Sequence, residues 1–156
     1  MAVETVFTMS NPHDTCTAAA YLWAHKKLRK AEVHAQDFQH DNDFLTYAMP
    51  KINSLDSEYR QQASHFGLRI IDMADGVNIS SAEISEKFKA RSPHVGLFWC
   101  SFHTMGYYYG HHDKQYFDNN HGLYKSKLTQ DLIAFMDEKK TNYYQVPWCG
   151  YMIVSI

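Results

Sequence analysis

Three residues of this chain have the types and order of a thiol-based hydrolase. Cys16 stands at the start of the apolar stretch Thr15-Cys16-Thr17-Ala18-Ala19-Ala20-Tyr21-Leu22-Trp23. His103 follows 87 residues later at the head of an aromatic run, Thr104 to Tyr109, and Asp118 lies 15 residues beyond it. A thiol in the first turn of a helix has its thiolate favoured by the unpaired amides and the helix dipole, and a neighbouring imidazole favours it further as an ion pair. The imidazole in turn needs a carboxylate to hold its ring. A hairpin turning at Gly110-His111-His112-Asp113-Lys114 brings Asp118 back beside His103. The expected roles are Cys16 as nucleophile, His103 as acid and base, and Asp118 as orienting group.

Each residue has a plainer reading. Cys16 among alanines is also what a tightly packed helix uses, and Asp118 before Asn119, Asn120 and Gly122 is also a turn residue. His103 between Phe102 and Thr104 fits a satisfied strand histidine. The company of the three residues favours chemistry. Zinc is the main chemical competitor, because Cys100, His103, His111, His112 and His121 fall within twenty-two residues. Cys100 and His103 are an odd number of positions apart in an expected single strand, so they would face opposite sides, and His111 and His112 fall at a loop tip. The reading therefore assigns no metal and no cofactor, and places Cys100 and Cys149 as buried strand residues.

The elements that must position these groups follow from periodicity and caps. A strand is expected from Thr5 to Met9, then a turn, then a helix from Thr15 to Ala31 capped by Asp14 or Thr15. His34 to Asp43 reads as a loop, and Ser54 to Phe66 as a helix ending at Gly67. Leu68 to Ile71 is a short apolar run, strand or helix extension. Ser80-Ser81-Ala82-Glu83 reads as a capping box for a helix to Ala90. Strands follow at Val95 to Phe102, Thr104 to Tyr109 and Gln115 to Asp118, then an amphipathic helix from Lys125 to Lys139 and one or two strands from Tyr143 to Ile156. The fold class is α+β: N-terminal helices, one carrying Cys16, packed on a C-terminal antiparallel sheet.

At these residues the chain resembles the YopT-like cysteine peptidases, papain-like proteins common among bacterial effectors and toxins. The resemblance rests on Cys16 and Trp23 in a Cys-x-x-x-x-x-x-Trp helix, on His103 at a hydrophobic strand, and on Phe117-Asp118-Asn119-Asn120-His121-Gly122 before a closing helix and strand. Asn119 stands where the family pattern has proline. What the resemblance implies is a papain-like minimal core and a Cys16-His103-Asp118 triad. An oxyanion site would be made by the Cys16 amide and the side chain of Asn11. The implied substrate is a protein, cleaved at amide bonds. Glutamine deamidation with the same triad is the alternative, and a binding module on a papain-like scaffold with an inactive triad is the alternative of another class. An immunity or chaperone protein is the further partner such effectors suggest.

Composition is compatible with this. The 156 residues read as one domain, 1–156, large enough for a core without disulfides. Fifteen Lys and Arg against seventeen Asp and Glu give a net charge of −2, which disfavours nucleic acid. The basic run His25-Lys26-Lys27-Leu28-Arg29-Lys30 reads as the solvated C-terminal half of a helix. No apolar stretch reaches the length of a transmembrane segment. Three cysteines, an odd number, and no basic-then-apolar start read as a chain without a signal peptide that folds or acts in a reducing, cytosolic setting. The expected locations are the producer's cytoplasm or, by secretion-system delivery, that of a target cell.

Overall fold

The computed structural model describes residues 3–10, 15–38 and 56–156. Asn11, the alternative cap Asp14, the loop beyond Phe38 and the expected helix start at Ser54 lie outside the described residues. The strands are β1 (Val3–Thr8), β2 (Arg69–Ile79), β3 (Val95–Trp99), β4 (Thr104–Tyr109), β5 (Lys114–Asp118), β6 (Gly122–Ser126) and β7 (Trp148–Ser155). The helices are α1 (Cys16–Leu28), α2 (Asp56–His65), α3 (Ser81–Ala90) and α4 (Thr129–Lys139), with a 3-10 turn at Ala35–Phe38 and a π-helical turn at Lys140–Tyr144.

All seven strands join one antiparallel sheet in the order β1-β6-β5-β4-β3-β7-β2. The architecture is α+β, with helices over both faces. Neighbouring strand residues alternate between two cores, as the period of a strand requires. Leu97, Phe117, Leu123 and Met152 join the cluster that contains Trp23 and Ala20 of α1 and Tyr59 of α2, whereas Phe98, Tyr116, Tyr124 and Ile153 join the one that contains Ile84 of α3 and Leu132 of α4. Antiparallel pairing brings the start of α1, the β3–β4 turn, the β5–β6 turn and the π turn to one end of the sheet.

Helix α1 is buried almost all round in its first half: Cys16 through Tyr21, Trp23 and Ala24 are all buried. Three consecutive alanines let its backbone lie close on the sheet. Trp23 stacks on Phe117 with ring centroids 5.6 Å apart, and it crosses β4 where Gly106 leaves room. The capping box of α3 is present, Ser80 accepting from the Glu83 amide and Glu83 from the Ser80 amide.

Several expected boundaries are corrected. The run at Leu68 to Ile71 opens an eleven-residue strand, β2, that continues through Asp72, Asp75, Gly76 and Asn78. These are poor strand formers, and the strand is an edge held by β7 through two register shifts. Lys125 does not start the helix: it pairs with Glu4 of β1 and Gln115 of β5 in β6, and α4 begins at Thr129. Cys100 and His103 do not share a strand; β3 ends at Trp99 and the two residues close a turn in which the Cys100 amide donates to the His103 carbonyl at 3.0 Å. Tyr143 lies in the π turn, and a single strand, β7, follows.

Packing at Gly106 yields a test. A β-carbon there would sit 2.4 Å from Trp23 Cε3 and 2.6 Å from Cζ3. Gly106→Ala must therefore displace a fully buried indole together with the helix that carries Cys16, an overpacking cost of about 1–3 kcal/mol. Denaturant unfolding of the variant is expected to show that loss, whereas Gly106→Ala with wild-type stability would mean that α1 does not pack as described.

Candidate active site

Cys16, His103 and Asp118, separate in the chain, meet at one end of the sheet. Cys16 arrives on α1 over one face. Asp118 ends β5 with the parity of Tyr116, on the other face, and accepts the Tyr116 hydroxyl at 2.7 Å. His103 precedes β4, and its Nε2 lies 2.7 Å from Asp118 Oδ1. Nε2 therefore carries the proton and donates to the carboxylate, which leaves Nδ1 for the thiol. That imidazole and the Thr104 amide both favour the Cys16 thiolate, and the Cys16 sulfur lies 4.0 Å from the Thr17 hydroxyl. All three side chains are buried.

The helix start is arranged for a thiolate. Thr15 is the N-cap, yet its side chain makes no capping hydrogen bond, and no acidic residue occupies the first turn. Thr15 Oγ1 instead accepts from Asn119 Nδ2 at 2.8 Å, which ties the residue before Cys16 to the residue after Asp118. Thr17 and Thr104 hydroxyls, 3.0 Å apart, tie the residue after Cys16 to the residue after His103. Two polar links thus register the nucleophile against its partners.

Asp118 accepts from five donors. Oδ1 takes His103 Nε2 and the Asn120 amide at 2.9 Å; Oδ2 takes the Tyr116 hydroxyl, His121 Nδ1 at 3.1 Å, and the Tyr144 hydroxyl in a short bond. Tyr144 also stacks on His103, ring centroids 4.8 Å apart and planes within 16°. One tyrosine therefore orients both the carboxylate and the imidazole.

Electrostatics follows from these contacts. Burial works against a charged Asp118, but the bonds from His103, His121 and Tyr144 and the His103 charge outweigh it, and its pKa falls well below the ordinary 3.8. Burial also lowers His103, yet the Asp118 and Cys16 partners raise it to about 9. Cys16 is pushed up by burial and brought down by the His103 hydrogen bond and charge and the Thr104 amide, for a net lowering. The other cysteines move the opposite way. Burial raises Cys100 and carries Cys149 to about 11. Cys100 is buried just beyond β3, and Cys149 is half-buried in β7.

The remaining candidates divide. Asn11, the expected oxyanion donor, lies outside the described residues. His111 and His112 are exposed in the β4–β5 hairpin turn, and His121 is a donor to Asp118. Among the described residues no group of three or more His, Cys, Asp or Glu side chains is placed to hold a metal ion. The sequence reading missed Tyr116, Tyr144 and the pairing of Asn119 with Thr15. Tyr116 had a signal, since it shares a strand face with Asp118 two positions on. Tyr144 had none, because it reaches the site through a π turn that local pattern does not announce.

No family model, no curated protein and no solved structure matches the chain. No helix among the described residues is long and apolar enough to cross a membrane.

The coupled shifts predict a pH profile. The Cys16 thiolate should form below the ordinary thiol range, and its pairing with a protonated His103 should be lost, the thiolate remaining, as the imidazole gives up its proton near pH 9. The ultraviolet thiolate absorbance of wild type minus Cys16→Ala is expected to rise at a lower pH than that of an unperturbed thiol. An NMR titration of His103 should have its midpoint near 9 in wild type and a lower one in Asp118→Asn, which weakens the group that raises it. A Cys16 thiol that titrates at or above the ordinary thiol value would refute the ion pair. For Tyr144→Phe the ring stack survives but a charge-assisted bond to Asp118 is lost, worth about 1.5–3 kcal/mol; thermal or denaturant unfolding measures it.

Proposed function

We propose that this protein is a papain-like cysteine hydrolase that cleaves amide bonds in a protein substrate, with a main-chain peptide bond as the preferred target. The observation that carries the reading is the buried His103–Asp118 hydrogen bond of 2.7 Å, in an imidazole that also lowers the pKa of the Cys16 thiol at the start of α1. Imidazole between thiol and carboxylate is the arrangement that acyl transfer through a thiolate needs. A nucleophile helix packed on an antiparallel sheet that brings the histidine is compatible with a papain-like core. It also fits the YopT-like resemblance at Cys16, Trp23, His103 and Asp118, and with it a role as an effector or toxin.

The reaction runs in two halves. The Cys16 thiolate attacks the carbonyl carbon and forms a C–S bond. The amide hydrogen-bond donor at the start of α1 belongs to Cys16 itself and stabilises the oxyanion, joined in this reading by Asn11. His103 gives its proton to the leaving nitrogen as the C–N bond breaks, so a free amine departs and a thioester remains. Neutral His103 then takes a proton from water, hydroxide adds to the thioester, and the carboxylic acid leaves as the thiolate and imidazolium re-form. Asp118 keeps its charge throughout and holds the ring for both steps.

Two measurements test this. Cys16→Ala should fold, because it removes one small side chain, and should lose activity by about a thousandfold or more; His103→Ala should behave alike. Retained activity in folded Cys16→Ala would end the hydrolase reading. Mass spectrometry of proteins incubated with the enzyme should show new termini that are absent with Cys16→Ala. A gain of about 1 Da at a glutamine without cleavage would instead show that ammonia is the leaving group.

A further inference from the structure

The sulfur of Cys16 and the two hydroxyls beside it form a closed polar group. Thr17 Oγ1 lies 3.0 Å from Thr104 Oγ1 and 4.0 Å from Cys16 Sγ, the long end of a hydrogen bond to sulfur. Thr17 and Thr104 are each 1% exposed and Cys16 3%, so water has almost no access to the group. Among the described residues neither hydroxyl has a hydrogen-bond partner outside it. A buried hydroxyl left without an acceptor is costly, so where the two protons point is decided within these three side chains.

Two arrangements are open. In the first, Thr17 donates to Thr104, the Thr104 proton has no acceptor, and Thr17 turns a lone pair towards the sulfur. In the second, Thr104 donates to Thr17 and Thr17 donates to the sulfur, so both protons are used. A thiol tolerates the first, because its own S–H can donate to the Thr17 lone pair. A thiolate only accepts, and a lone pair facing it is repulsive. Ionised Cys16 therefore selects the second arrangement, and a donor presented to the charged form favours that form. The lowered pKa of Cys16 agrees with this, since the Thr17 hydroxyl acts in the same direction as His103 and the Thr104 amide.

We infer that Thr17 is a catalytic residue of this site, its hydroxyl donating to the Cys16 thiolate and the Thr104 hydroxyl donating to Thr17 from behind. The inference concerns the nucleophile of the hydrolase proposed above and rests on that reading for its part in catalysis. No proton leaves either oxygen. While Cys16 is a thiolate, the Thr17 O–H bond points at the sulfur. Once the sulfur has formed the C–S bond of the thioester its charge is gone, and the Thr17 proton can swing to Thr104; it returns as the thiolate re-forms. The two hydroxyls thus stabilise both the free nucleophile and the sulfur that leaves in the second half of the reaction.

Titration of the Cys16 thiolate, read as the ultraviolet absorbance of each protein minus that of its Cys16→Ala counterpart, tests this without a substrate. Thr17→Val keeps the shape and removes the donor, and its midpoint is expected to rise by about one unit, the weak end for a hydrogen bond to a charged group. Thr104→Val leaves the Thr17 donor in place, so its midpoint should rise by about half as much or less. Thr17→Ser should titrate with wild type. The Thr17→Val/Thr104→Val double variant leaves no orphaned hydroxyl, serves where Thr17→Val alone does not fold, and should titrate with Thr17→Val. Melting temperatures certify the fold of each. A purely structural link between α1 and β4 is broken equally from either end, so it predicts equal shifts in the two single valine variants. That result, an unmoved midpoint in folded Thr17→Val or in the double variant, or a Thr17→Ser midpoint that rises with that of Thr17→Val, would overturn the inference and leave the hydrolase standing. A wild-type Cys16 that titrates at or above the ordinary thiol value would overturn the ion pair beneath the hydrolase reading, and this inference with it.

Discussion

A buried carboxylate with five donors is the constraint around which this end of the molecule is built. Leaving an ionised Asp118 buried is costly unless its lone pairs are filled. Here they are filled by two imidazoles, two phenols and one amide, drawn from the strand it ends, the turn that follows it, the residue before β4 and the π turn after α4. The five donors come from four places in the chain, so satisfying the carboxylate also fixes where those segments lie. The same bonds keep it ionised. A neutral Asp118 would not hold His103 protonated, and without that charge the Cys16 thiol would follow its burial upward.

The sheet order explains how so many segments arrive together. In an antiparallel sheet the turn after β5 and the turn before β4 fall at the same end, and β1, paired with β6, delivers the chain there for the start of α1. The Met9 amide donates to the His121 carbonyl at 3.0 Å, which carries the β1–β6 pairing into the β5–β6 turn. From there Thr15 meets Asn119 and Thr17 meets Thr104. Helix α1 is thus held at its start by polar links and along its length by Trp23 against Gly106 and Phe117. Polar contacts set the register, while the apolar contacts hold the helix to the sheet.

Much of this was legible in the sequence. Alternation found β4 and β5, the capping box found α3, and the hairpin argument brought His103 to Asp118. What escaped depended on partners distant in the chain. β2 holds two aspartates, a glycine and an asparagine because β7 supplies its pairing and because Asp75 serves α2 and β3, accepting from Tyr59 and Trp99. β6 looked like a turn leading into a helix, since five residues between two strong signals carry little period of their own. Tyr144 was invisible for a related reason: a π turn shifts it by one position from where a continued helix would carry it, and that shift is what aims its hydroxyl at Asp118. The expectation of one strand through Cys100 and His103 failed because a tight turn, closed by a single backbone bond, interrupts it.

The three cysteines show how far environment outweighs residue type. Cys16 and Cys100 are both buried and lie near the same imidazole in the chain's fold, yet the pKa of one is lowered and that of the other raised. Burial acts on both in the same direction. The difference is that Cys16 has His103, the Thr104 amide and an uncapped helix start, whereas Cys100 receives backbone bonds that do not offset its desolvation and feels the charge of Cys16 besides. A thiolate at Cys16 makes a second thiolate at Cys100 harder to form, so the two sites are coupled with opposite sign. Concentrating negative charge on one sulfur next to one imidazolium is what separates a nucleophile from a packing residue in a core where both are equally hidden from water.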